Sequence, residues 1–263
     1  FVGGNGAGKT TTMRIILGVL AADSGTVTLD GEPLGVTGRR RFGYMPEERG
    51  LYPKMKLGEQ LHYLARLHGL TPADAKRNTD ELLGRLSLLE RIGDPIEKLS
   101  LGNQQRAQIA AALVHDPDVL VLDEPFSGLD PMAVDVVVDV LADRARAGRP
   151  VLFSSHQLDI VERLCDDLVI IADGAIRAAG PRERLREEHA TLRYQLQTDG
   201  DAGWIRDEPG VSVVEADGGY ALFDADTPAT AQRVLAAAVA RGGVSDFARQ
   251  HPTLPQIFKE VVR

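Results

Sequence analysis

The chain has 263 residues, 43% of them hydrophobic, which is enough for one full domain with a large core plus a smaller domain. With 30 Lys and Arg against 38 Asp and Glu, its formal net charge of -8 lacks the overall positive field of a nucleic-acid binder, so no nucleic-acid partner is expected. The lone cysteine, Cys165, excludes an intrachain disulfide and favours a cytosolic setting. No apolar run approaches the roughly 18 to 20 residues that span a bilayer and no signal peptide opens these residues, so a membrane role requires a partner.

The segment from Phe1 to Leu20 reads as a strand end, a glycine-rich turn and a helix with Met13, Ile16, Leu17 and Leu20 at helical spacing. Val27 and Leu29 alternate up to the turn signal Asp30-Gly31, and a short apolar run from Phe42 to Met45 is closed by Pro46; both read as strands. Between them, the basic run Arg39 to Arg41 is expected to be a solvated strand edge. Helices dominate from Leu57 to about Ile92, with Leu57, Leu61, Leu64 and Leu67 on one face and Leu82, Leu83, Leu86 and Leu89 on another. Thr71-Pro72-Ala73-Asp74 starts the second of these helices with an N-cap, a proline at the first position and an acid expected to accept the cap's amide.

A helix from Gly102 to Val114 leads into Val119 to Leu122, an apolar run suited to a parallel strand covered on both faces. Asp130-Pro131 caps a helix that Gly148 ends, Val151 to Phe153 is a strand, and Gln157 to Leu164 is a helix. Cys165 closes that helical run, where a small buried apolar role is expected. Leu168 to Gly180 reads as a hairpin turning at Asp173-Gly174. The pattern is an α/β core, residues 1–180, split by a helical insert at about 53–115. Residues 181–263 differ in texture: a charged helical linker, a strand, a short polar helix, a hairpin, a helix, a strand and a last amphipathic turn around Ile257 and Phe258. They read as a small α+β domain of ferredoxin-like order.

Gly3 to Thr10, GGNGAGKT, matches G-x-x-x-x-G-K-T between a strand end and a helix, the context a phosphate-binding loop requires. Glycines permit the positive φ that turns successive amides inward, and the helix N-terminus adds partial positive charge. Gly3, Gly4, Asn5, Gly6, Ala7 and Gly8 are therefore expected to wrap phosphates, with Lys9 reaching the β- and γ-phosphates, Thr10 offering its hydroxyl to magnesium, and Thr11 as a further contact. The loop alone does not select among kinases, GTPases, helicases and transport ATPases.

Asp123-Glu124 ends the apolar strand and is followed by proline, at the carboxyl edge where open α/β sheets bind ligands. Asp123 is expected to hold magnesium and Glu124 to orient or deprotonate water, their side chains pointing opposite ways along a strand. Upstream, LSLGNQQR (Leu99 to Arg106) places a serine and a glycine at a helix start; downstream lie SGLD (Ser127 to Asp130) and SSH, which ends on His156.

In this order and spacing the motifs GGNGAGKT, LSLGNQQ, VLVLDEP, SGLD and SSH resemble those of the ATP-binding cassette (ABC) ATPases over residues 1 to about 180. The resemblance implies a P-loop NTPase core with a helical subdomain, ATP and Mg2+ as cofactors, and a head-to-tail dimer with a second copy of the chain. It also implies that Ser100, Gly102 and Asn103 contact the γ-phosphate from across the interface, that His156 holds the γ-phosphate and water, and that Asp130 relays between sites. A separate transmembrane permease would hold the subunit at the cytoplasmic face of the membrane. PEERGLYPKM, LSLGNQQ and the ending HPTLPQIFKEV look like the NatA-type sodium-extrusion and drug-efflux subgroup, which implies export of ions or drug-like compounds and a small C-terminal domain.

This chain departs from the family pattern at Gly4, where many members have proline, and at Leu101 and Asn103 in the signature. Glu47 stands where a magnesium-touching glutamine is usual, adding negative charge near the metal; it is a weak metal ligand by this reading. The resemblance also implies an upstream segment with strands and an adenine-stacking aromatic residue, and the sequence starts two residues before the motif. The alternatives are a non-transport ABC ATPase acting in DNA repair or on ribosomes, and a GTPase or small-molecule kinase. The modest insert and single motif set weigh against the first, and the lack of N-K-x-D against the second.

Overall fold

The computed structural model describes residues 1–48 and 50–262. The chain divides into two compact units that meet in sequence between Arg177 and Ala178.

In the first unit, Gly8 at φ 107° ends the glycine-rich loop and caps α1 (Lys9–Ile16). Gly18 at φ 72° closes that helix in the left-handed conformation favoured past helix ends, so Leu20, expected on its apolar face, lies beyond it and is exposed. β1 (Thr28–Leu29) and β2 (Glu32–Pro33) pair across Asp30 and Gly31, whose φ values of 53° and 83° match the twist-compatible hairpin turn. α2 (Val36–Arg39) corrects the expected strand edge at Arg39 to Arg41. Arg39 donates to the Ile16 carbonyl at 3.1 Å, covering the open end of α1, and Arg41 pairs with Asp118.

β3 (Phe42–Met45), β4 (Val119–Leu122) and β5 (Val151–Phe153) form a parallel sheet in the order β3-β4-β5, with Met45 opposite Leu122 and Leu122 opposite Phe153. Val2 makes parallel bridges to Ser155 and to Ile170, the latter in β6 (Asp167–Ala172). β6 turns at Asp173 and Gly174 into β7 (Ala175–Pro181). All the parallel strands therefore finish at one edge, where the segments 3–8, 46–48, 123–124 and 154–156 gather. α6 (Pro131–Arg146) and α7 (Leu158–Leu164) follow β4 and β5. Cys165 lies just past α7 in extended conformation and is half-buried, a correction to its expected buried helical place.

The insert comprises α3 (Leu57–Leu67), α4 (Pro72–Arg85) and α5 (Leu101–Leu113). Leu57, Leu61, Leu83 and Leu86 are fully buried, whereas Leu67 and Leu89 fall outside the packed faces and are exposed. At α4 the Thr71 hydroxyl accepts from the Asp74 amide at 3.1 Å and donates to the Asp74 carboxylate at 2.6 Å, so that acid meets the cap's hydroxyl and not the cap's amide as expected. α5 rests on β3 without room to spare, since a Cβ on Gly43 would stand 2.1 Å from the Ala112 carbonyl oxygen.

The second unit opens with α8 (Arg182–Glu188), followed by β8 (Arg193–Thr198), a 3-10 turn at Gly203–Asp207, β9 (Val211–Asp217), β10 (Tyr220–Ala225), α9 (Pro228–Arg241), β11 (Val244–Gln250) and α10 (Leu254–Val261). The strands form an antiparallel sheet in the order β11-β8-β10-β9, the split arrangement expected of a ferredoxin-like order with its first helix reduced to a 3-10 turn. Leu196, Phe223, Ile205 and Val234 are wholly buried in a core of their own.

Gly43→Ala is expected to destabilise the protein by about 1–3 kcal/mol, because strand or helix must shift to admit the methyl group. Chemical denaturation followed by circular dichroism checks this, and an unchanged midpoint would refute it.

Candidate functional site

The loop before α1 is shaped for an anion. Gly6 and Gly8 have φ of 76° and 107°, and a Cβ on Gly3 would stand 2.4 Å from the Ile171 carbonyl oxygen, so the chain can approach β6 only as glycine. No side chain caps α1, which leaves its first amides free to face a ligand. Gly4 borders open space, consistent with tolerance of substitution there.

Lys9, 7% exposed, donates to the carbonyls of Gly3 at 2.8 Å and Gly4 at 3.2 Å and lies 3.7 Å from Glu124 Oε1. Thr10 Oγ1 donates to Asp123 Oδ2 at 2.6 Å, joining the start of α1 to the end of β4. Ser154, at the end of β5, donates to Asp123 Oδ1 at 2.5 Å and accepts the Glu124 amide at 2.8 Å. His156 Nδ1 lies 2.9 Å from Glu124 Oε2.

Asp123 and Glu124 are both buried, but they stand past the last residue of β4 and not on it. Glu124 has a φ of 49°, a conformation disfavoured for a side-chain-bearing residue, and this corrects the expectation of alternating strand side chains. The turn, not strand alternation, separates the two carboxylates, and it sends Glu124 towards Lys9 and His156.

A cleft of about 200 Å3 is lined by residues 5–11, Glu47, Asp123 and Glu124. A larger one of about 480 Å3, bounded by Leu141, Val151 and Phe153, is reached by none of the motif residues. Gly3 and Gly4 serve the cleft through their carbonyls, and His156 through Glu124. Ser100, Gly102 and Asn103 do not line it. Ser100 caps α5 by accepting from the Asn103 amide at 3.3 Å and is exposed, and Asp130 caps α6 by accepting from the Ala133 amide at 2.8 Å. A Cβ on Gly102 would meet the Gly128 carbonyl oxygen at 3.5 Å, so the two motif loops are neighbours.

The donor set suits Mg2+, a hard cation that takes one or two carboxylates and completes its shell with water and phosphate oxygens. A hydroxyl and a carboxylate 2.6 Å apart, with Glu47 exposed on the same cleft, supply oxygens only. Ser154 and Gln105 are site residues to which the sequence reading gave no role, although they lie inside SSH and LSLGNQQ. What Gln105 does, donating to the carbonyls of Glu124 and Pro125, is set by tertiary contact.

Comparison with known proteins agrees with this geometry. A family model described as ABC transporter matches residues 1–127, and a model of the ATP-binding protein DrrA1-3-like C-terminal domain matches residues 180–262. The uncharacterized ABC transporter ATP-binding protein YhaQ of Bacillus subtilis (strain 168) is 35% identical over 261 residues, covering 99% of this chain and 88% of the relative. The chain belongs to the ABC transporter ATP-binding proteins. The linearmycin resistance ATP-binding protein LnrL of the same organism is 36% identical over 187 residues, 70% of this chain and 60% of the relative. A solved ATP-binding subunit of an ABC transporter superposes with a TM-score of 0.66 at 34% identity, covering 71% of this chain and 79% of that one. The first unit is thus an ABC-type P-loop NTPase, and as an ABC ATP-binding subunit the chain binds nucleotide and is an ATPase.

Ser154→Ala is expected to lower ATP turnover roughly 10-fold or more, because both Asp123 Oδ1 and the Glu124 amide lose their partner. Steady-state phosphate release measures this; wild-type kcat would show that Ser154 does not orient the acids.

Proposed function

We propose that the chain is the ATP-hydrolysing subunit of an exporter of ions or drug-like compounds. It works as a head-to-tail dimer with a separate membrane permease, at the cytoplasmic face. The observation that carries the catalytic part is the convergence of Lys9, Thr10, Asp123 and Glu124 on one cleft, with His156 bonded to Glu124. Loop amides and Lys9 would bind the phosphates, and Thr10, Asp123 and, weakly, Glu47 would hold magnesium. A magnesium ion held by those residues would supply positive charge against the charge that develops on the phosphate. Glu124, fixed through its amide by Ser154, is placed to take a proton from water, and His156 orients it.

The dimer is supported by the position of Ser100, Gly102 and Asn103 at the start of α5, away from the chain's own cleft. A second copy would bring this helix N-terminus onto the γ-phosphate. Leu101 and Met132 are exposed apolar side chains beside Ser100 and Asp130, a suitable rim for such a contact. Among the described residues no helix is long and apolar enough to cross a membrane, so transport would require a permease. Export is supported by the DrrA1-3-like second unit and by the resistance named for LnrL. The three-helix insert is too short for the long coiled coil of repair ATPases.

Glu124→Gln is expected to keep ATP binding, to lose about 10²- to 10⁴-fold in kcat, and to accumulate a dimer with Mg·ATP on size exclusion. Turnover at the wild-type rate would remove Glu124 from its role, and a nucleotide-trapped monomer would refute the shared site. Lys9→Ala is expected to weaken nucleotide binding itself, as equilibrium titration with a fluorescent ATP analogue would report; unchanged affinity would overturn the phosphate-loop assignment.

A further inference from the structure

Gln105 and Gln108 stand three residues apart on α5, on one face of the helix, and each is only 4% exposed. Both use their amide nitrogen in the same way. Gln105 Nε2 donates to the carbonyls of Glu124 and Pro125, each at 3.1 Å. Gln108 Nε2 donates to the carbonyls of Pro46 at 2.6 Å and Glu48 at 3.2 Å, one on either side of Glu47. Each glutamine thus grips the backbone that carries one of the cleft's carboxylates.

A primary amide is the neutral group suited to this task, because one nitrogen presents two hydrogens to two carbonyls. The opposite amide orientation would set oxygen against oxygen, so the bonds themselves fix the assignment. Gln108 keeps the arrangement although its Oε1 is buried without a partner, an expense that an apolar side chain of the same length would avoid. Packing alone therefore does not account for a glutamine here.

We infer that Gln105 and Gln108 are positioning residues that tie two of the three carboxylates of the nucleotide cleft to α5, Gln105 setting Glu124 and Gln108 setting Glu47. The inference rests on the reading of the cleft as a Mg·ATP site. α5 is the helix whose start carries Ser100 and Gly102, so any displacement of that start reaches the water-activating acid through Gln105 and the metal-side acid through Gln108. The two acids then answer to one rigid element and not to two independent loops.

The test titrates a fluorescent ATP analogue onto the chain over a range of Mg2+ concentrations, with kcat measured in parallel. Gln108→Met is expected to raise the half-saturating Mg2+ concentration about 10-fold, and to add nothing further in a Glu47→Ala background. Gln108→Asn, which keeps the donors on a shorter stem, is expected to fall between. Gln105→Met is expected to lower kcat and leave the Mg2+ dependence in place.

An unchanged Mg2+ dependence in Gln108→Met overturns the assignment, and so does an equal shift with and without Glu47. If Gln108→Met does not fold, Gln108→Asn decides: a Mg2+ shift supports the link and wild-type behaviour overturns it. Wild-type protein that binds the analogue without regard to Mg2+ would instead refute the underlying Mg·ATP reading.

Discussion

The hydrogen bond from Thr10 to Asp123 joins residues 113 positions apart, and the site depends on it. It ties the first turn of α1, where a helix N-terminus concentrates donors and partial positive charge, to the end of β4, where a buried strand must release its polar groups. The second oxygen of Asp123 accepts from Ser154, whose hydroxyl also accepts the Glu124 amide. One carboxylate thus couples α1, β4 and β5. Because Asp123 is wholly buried, these donors are what make its charge tolerable there. Removing any of them leaves a buried acceptor without its match, which is why the cluster acts as a unit.

Much of this was legible in the sequence, for reasons that differ by element. The glycine loop and the apolar run Val119 to Leu122 announce themselves, because only glycine adopts those φ values freely and only a strand buried on both faces is apolar throughout. Capping was readable at Thr71, Ser100 and Asp130 because a side-chain oxygen three residues before an amide is a local event. The ferredoxin-like order of the second unit was legible because a strand, short helix, hairpin, helix and strand suit two interleaved crossovers, β8 to β9 and β10 to β11, around the β9–β10 hairpin.

What escaped the sequence was set by tertiary contact. The basic run at Arg39 turned helical because Arg39 covers the open end of α1, a partner 23 residues upstream. The direction of Glu124 was misread because its positive φ belongs to the turn after β4 and cannot be inferred from strand alternation. The contacts of Gln105, although it lies inside LSLGNQQ, and of Gln108 were not legible, since a polar residue in a helix reads as solvated unless the carbonyls it meets are known. Local chemistry writes itself into the sequence, whereas a buried amide that serves a distant loop does not.

Lys9 joins the glycine loop to the acids after β4. A buried ammonium group needs partners, and here the loop's own carbonyls at Gly3 and Gly4 supply them, with Glu124 3.7 Å away. The lysine therefore holds the loop in shape. In the proposed binding mode, phosphate oxygens would replace neutral carbonyl acceptors at Lys9, and charge-assisted hydrogen bonds are roughly twice as strong as neutral ones. The same exchange would draw the cation away from Glu124, which His156 Nδ1 also meets at 2.9 Å. Through that one side chain, contact with phosphate would be coupled to the surroundings of Glu124, the acid that the Ser154 hydroxyl fixes through its amide.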